Sequence, residues 1–249
     1  MNRPKSDWAP LQPASRRDLW QLTQVASGFL WTVPAVLVLG VYTIQTPPFT
    51  RAPLWWFIMA QGLVAVSALR LLLIRWNGAR AWRRSARWTL FWALAALLQS
   101  PYLHWWQQNP TRWPFVLNMG VALFFEAALL FQLNRWSGVT AAQLNDPDLA
   151  AEARLFAQMV LWLLSAPVLA LMGRSIFLAA RHGLPTSDSA MLLLEEAVAG
   201  LEGWILLAWI VPVAFTLQLL WKLRQRAVAQ LLAGGAGPAA LRGPDQKIV

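Results

Sequence analysis

The sequence predicts an all-α, polytopic integral membrane protein with six transmembrane helices and both termini in the cytoplasm. Hydrophobic residues make up 57% of the 249-residue chain and charged residues 13%, whereas an ordinary soluble domain is about 45–50% apolar. The apolar residues gather into runs of spanning length, about 20 residues each. Between the second and third runs lies RWNGARAWRRSARW, residues 75–88, with Arg75, Arg80, Arg83, Arg84 and Arg87 and no acid. A short connection this basic faces the cytoplasm, and it sets the side on which every other segment lies.

Composition narrows the classes of function. A formal net charge of +10 would point to nucleic acid in a soluble protein, but here the cations sit beside apolar runs and on alternate loops, so topology accounts for them. No nucleic-acid partner is expected. Seventeen Trp against two Tyr fit aromatic belts at the two membrane interfaces, where an amphipathic ring sits at headgroup level. The absence of cysteine excludes disulfides, thiolate metal sites and thiol nucleophiles.

Residues 1–24 form a cytoplasmic N-terminal segment. Ser15 is a candidate N-cap for a short helix bearing Leu19, Trp20 and Leu22 on its apolar side. The segment reads equally as an interfacial helix on the cytoplasmic leaflet and as a disordered, proline-containing tail. The apolar run that follows lacks a small-residue cleavage site and is expected to remain as a spanning helix.

Six spans follow, within residues 25–222. The first covers residues 25–44 and contains Pro34. The second, 54–74, opens on Trp55 and Trp56, holds Gln61 deep within it, and ends with Arg70 placed to snorkel to the cytoplasmic headgroups. The basic loop comes next. Arg80, Arg83, Arg84 and Arg87 fall at i, i+3, i+4 and i+7, so a helix aligns them in one stripe whose mutual repulsion calls for an anionic cover. Anionic phospholipid headgroups fit that role, and an acidic protein partner is the alternative. The third span, 88–105, carries Gln99, Ser100 and Pro101 in its outer half, with His104 near the interface.

The fourth span, 115–133, contains the most costly residue of the chain. Glu126 lies about 12 residues in, or about 18 Å along a helix, and an acid at a helix centre costs about 2.5–3.5 kcal/mol on insertion scales. It must therefore face the bundle interior, neutral or partnered. Three uses compete: a hydrogen bond to a neighbouring Gln or Ser, a place on an ion or proton route, or contact with another subunit. Asn118, two turns away on an adjoining face, extends the polar seam. The cytoplasmic return, 134–154, contains Asn145-Asp146-Pro147-Asp148, which reads as an N-cap followed by proline at the first helical position.

The fifth span, 155–172, contains Pro167. An exterior segment follows in which Asp188, Glu195 and Glu202 recur every seven residues, an acidic stripe if the segment is one helix. The sixth span, 204–221, contains Pro212, and Lys222, Arg224 and Arg226 close it on the cytoplasmic side. Residues 223–249 read as a flexible cytoplasmic tail.

No Gly-x-Ser-x-Gly elbow, phosphate-binding glycine loop or metal-ligand spacing occurs. Enzymatic function is the weakest reading, and no cofactor or metal is expected. The sequence supports two readings. One is a non-catalytic subunit or scaffold of a bacterial inner-membrane complex, surrounded by lipid and other membrane subunits. The alternative is a membrane transport subunit, for which the span pattern resembles, in topology alone, the permeases that work with ATP-binding-cassette subunits.

The threading makes a direct prediction. Reporters fused after Arg51, Arg112 or His182 should be exterior, and reporters fused after Arg84, Asn145 or the C-terminus should be cytoplasmic. A cytoplasmic signal from residues 175–198 would remove or add a crossing and break the six-span arrangement.

Overall fold

The computed structural model describes residues 15–45, 52–74, 80–108, 113–182 and 202–233. They form six helices: α1 (Arg16–Gln45), α2 (Ala52–Leu73), α3 (Arg80–Gln108), α4 (Trp113–Gln143), α5 (Pro147–His182) and α6 (Glu202–Ala233). Among the described residues, four stretches are long and apolar enough to cross a membrane by themselves: Arg16–Thr43, Leu54–Leu73, Pro147–Ala166 and Leu207–Ala233. α3 is the most polar of the six helices, and polar residues of α3 and α4 join neighbouring helices.

Each helix packs against the next, α6 returns to α1, and α4 also crosses the ring to α6. The rings of Phe29 on α1 and Trp136 on α4, 6.2 Å apart, link these two helices as well. The largest fully buried side chains include Leu22, Phe29, Leu71, Trp82, Trp136 and Leu223. Apart from Phe29 at the middle of α1, these lie toward the start of α1 and α3 and toward the end of α2, α4 and α6, so the packed core is weighted toward the end of the bundle that carries the arginine stripe. Outside it, Trp31 is 81% exposed, Leu98 74% and Trp162 69%, a surface suited to lipid rather than water.

Most helices run beyond the spans read from hydropathy. α1 is continuous from Arg16, so Leu19 and Leu22, expected on a separate interfacial helix or in a tail, are buried in its first turns. Ser15 is its cap: the Asp18 amide donates to Ser15 Oγ at 3.1 Å, and that hydroxyl donates to Asp18 Oδ2 at 2.5 Å. α6 likewise continues to Ala233, so residues 223–233 are helix where a flexible tail was expected. Leu223 and Ala227 are buried there, and burial of an apolar face outweighs what composition alone implies. Residues 234–249 lie outside the described part, as do Arg75, Asp188 and Glu195.

The return between the fourth and fifth spans contracts to three residues, Leu144 to Asp146. Asn145 adopts φ 57°. Its amide donates to Ala142 O at 3.3 Å, and the Asp146 amide donates to Ala141 O at 3.0 Å, the double closure of a Schellman motif with asparagine in the left-handed position. Asp146 then caps the next helix, its Oδ1 accepting from the Leu149 amide at 3.0 Å, while Pro147 supplies the first helical φ. The Asn-Asp-Pro sequence therefore ends one helix and starts the next.

Glycine sets two close approaches. A Cβ on Gly28 would lie 2.6 Å from Ser67 Oγ between α1 and α2, and one on Gly138 would lie 3.1 Å from Ala153 Cβ between α4 and α5. Small residues at such crossings let helices approach in lipid. Gly138→Leu should therefore cost about 1–3 kcal/mol through overpacking, seen as a lower unfolding midpoint in detergent. Gly62→Leu, at a position with nothing within 4 Å, should leave that midpoint unchanged.

Candidate functional site

The polar residues singled out within the spans come together in two pairs. Gln61 on α2 is fully buried, and its Nε2 donates to Glu126 Oε1 on α4. Gln99 on α3 donates through Nε2 to Asn118 O at 3.2 Å and lies 3.5 Å from Asn118 Oδ1. Both pairs join α4 to a neighbour. Glu126 itself is half-buried, and the buried Gln61 Oε1 has no donor among the described residues.

Three further interhelical residue pairs are hydrogen-bonded toward the C-terminal end of α4. Gln132 Nε2 donates to Ser85 Oγ at 2.8 Å and Ser85 O at 3.0 Å on α3. Asn134 Nδ2 donates to Thr216 Oγ1 on α6 at 2.8 Å and to Leu130 O at 2.9 Å. Trp82 Nε1 on α3 donates to Thr140 Oγ1 at 3.2 Å. Thr140 and Thr216 act alike: each hydroxyl accepts from the neighbouring helix and donates at 2.8 Å to its own i−4 carbonyl, Trp136 O and Pro212 O. A relayed bond of this kind polarises the hydroxyl and strengthens both halves.

These three pairings were not anticipated from the sequence. Gln132 and Asn134 stand at the edge of an apolar run beside Arg135, where they resemble the polar flank of a loop. Ser85, Thr140 and Thr216 are single hydroxyls, and in a helix such groups normally return to their own i−4 carbonyl. Only the partner across the interface distinguishes a connecting hydroxyl from a locally satisfied one.

A second polar set joins α6 to the α4–α5 turn. Gln218, Lys222, Arg226 and Gln230 recur every four residues on α6. Lys222 Nζ lies 2.6 Å from Glu152 Oε1 and Arg226 Nε 2.7 Å from Asp146 Oδ2. Gln218 Nε2 reaches Glu152 Oε1 at 3.4 Å, and Gln230 Nε2 donates to Leu144 O at 2.9 Å. These groups are partly exposed, and ion pairs of this kind contribute at most about 1 kcal/mol each; they serve mainly to set register.

Arg80, Arg83, Arg84 and Arg87 are exposed on the first turns of α3, and none belongs to the two ion pairs found among the described residues. Glu202 opens α6, and its predicted companions Asp188 and Glu195 fall outside the described residues. No protein-family model, curated protein or solved structure matches this chain.

The arrangement binds helices to one another. A double-mutant cycle on Asn134→Leu and Thr216→Val should give a coupling of about 0.6 kcal/mol and no more than about 1.7, the range of interhelical hydrogen bonds in a membrane. Zero coupling in a reversible unfolding assay would remove this contact from the set that holds α4 to α6.

Proposed function

We propose that the chain is a non-catalytic integral subunit or scaffold of a bacterial inner-membrane assembly, threaded six times with both termini in the cytoplasm. One observation carries this reading: Glu126, the acid within an apolar span, is engaged by the amide of the buried Gln61 on a neighbouring helix. An acid held in an interhelical bond supports a structural role. The other buried polar groups on α4 support the same reading, because they too are directed at α3 and α6. Exposed apolar residues such as Trp31, Leu98, Trp162 and Phe177 supply surface for lipid and for the helices of partner subunits. The inward orientation of both termini rests on the excess of Arg and Lys at one end of the bundle.

The transport reading has a specific observation in its favour. Glu126 is half-buried and Gln61 Oε1 lacks a donor among the described residues, which leaves the pair hydrogen-bonding capacity within that part of the structure. A neutral carboxyl carries one donor, and an acid that exchanges that proton during a cycle would use this capacity.

Substitution of Glu126 separates the two. If the role is structural, Glu126→Gln retains shape and most bonding, so the protein assembles with its partners, while Glu126→Leu loosens α2 from α4 and lowers the unfolding midpoint. If the residue lies on a proton or ion route, Glu126→Gln assembles normally and transport in proteoliposomes is lost, because the titratable proton is gone. The composition of the complex purified from its native membrane gives an independent answer: a co-purifying ATPase favours transport, and stable partners without one favour scaffolding.

A further inference from the structure

Among the described residues, one face of α3 has no partner along most of its length. Arg80, Arg84, Arg87, Phe91, Leu94 and Leu98 alternate steps of four and three residues, which keeps them on one side of the helix, and all are exposed. Arg83 flanks this stripe and is exposed as well. The face changes character abruptly: cationic through Arg87, apolar from Trp88 onward. Residues 80–87 span about 10 Å of helix rise, comparable with one headgroup layer beside a hydrocarbon core of about 30 Å.

The apolar part is built. Trp88 meets Phe91 edge-on at 5.5 Å and stacks on Trp92 at 6.2 Å. Trp92 contacts Phe124 and Phe125 of α4 at 5.9 and 6.0 Å. Trp88, Phe91 and Phe124 remain 48%, 52% and 58% exposed, so this two-helix cluster presents an open aromatic surface. Arg84 and Arg87 lie one turn before Trp88 and Phe91 along the same face of α3.

We propose that this face is a binding site for an anionic phospholipid of the cytoplasmic leaflet, with its phosphate on the arginines and its acyl chains on Trp88, Phe91 and Phe124. The site rests on the membrane reading above. Guanidinium groups pair with phosphate through forked, charge-assisted hydrogen bonds. A zwitterionic lipid offers the same phosphate but brings a compensating cation, so four arginines with no acidic partner among the described residues select against it. The inward side of the same turns explains why the arginines cannot retreat: Trp82, Ser85 and Thr89 are buried and occupy the face toward the bundle.

The test is reconstitution of the full chain into lipid discs of equal phosphatidylcholine and phosphatidylglycerol, followed by re-isolation in mild detergent and mass spectrometry of retained lipid. The parent should be enriched in phosphatidylglycerol. R84Q/R87Q, which leaves Arg80 and Arg83 to hold the topology, should lose that enrichment by roughly tenfold or more, since each arginine near an anionic leaflet contributes about fivefold. R84K/R87K, a check on folding, should keep most of it. W88A/F91A should lower retention of both lipids without changing their ratio. Raised salt should weaken the preference. Equal retention of the two lipids by the parent, or an unchanged ratio in R84Q/R87Q, overturns the site. An acidic membrane protein that co-purifies through Arg84 and Arg87 while the lipid ratio stays level also overturns it. Failure of the parent to enter the discs would overturn the membrane reading itself.

Discussion

A polar side chain within hydrocarbon cannot turn to water, and the structure is arranged around the answer α4 gives to that constraint. Glu126, Gln132, Asn134 and Thr140 all stand on this one helix, and their partners come from α2, α3 and α6. Apolar packing between helices in lipid is only weakly directional, because a lipid tail is as good a neighbour as leucine. Directed bonds are not interchangeable in this way. They set the register of each helix against α4, and the apolar contacts, including Phe29 on Trp136 and Phe156 stacked on Phe215 at 4.7 Å, then pack around a fixed frame.

The turn between α4 and α5 extends that frame to the end of the bundle. Asn145 in the left-handed region lets α4 stop within one residue, and Asp146 begins α5 while holding Arg226. One carboxylate thus caps a helix with one oxygen and pairs a cation with the other. Because Arg226, Lys222 and Gln230 share a face of α6, positioning the turn also positions the last turns of that helix. This explains how α6 remains ordered well past Trp221, where hydropathy alone would release it.

What was legible in the sequence follows from what each residue type can do alone. Lone polar residues in apolar runs announce themselves by cost, and Gln61, Glu126, Gln99 and Asn118 are such residues; that they meet as two pairs required the packing of three helices to be known. The Asp-Pro start of α5 was legible because capping is local, whereas the Schellman end of α4, formed by the preceding asparagine, was masked by the same run of turn residues. The helix extents were the least legible. Hydropathy marks where a helix can meet lipid, but Arg16 to Gln24 and Leu223 to Ala233 are helical because they pack against other helices, and hydropathy carries no record of that contact.

The two faces of α3 finally connect the interior to the surroundings. In RAWRRSARWTLFW, residues 80–92, the residues that face inward are Trp82, Ser85, Ala86 and Thr89, and those that face outward are Arg80, Arg83, Arg84, Arg87 and Phe91. A rotation of α3 by one residue, about 100°, would bring an arginine toward Thr140 and turn Trp82 out. The Trp82 to Thr140 and Gln132 to Ser85 bonds oppose that rotation from inside, while solvation or phosphate contact of the guanidiniums opposes it from outside. The two constraints act on alternate residues of one short stretch. The same stretch therefore fixes how α3 sits against α4 and, in the proposed threading, its charge marks the end of the bundle assigned to an anionic membrane surface.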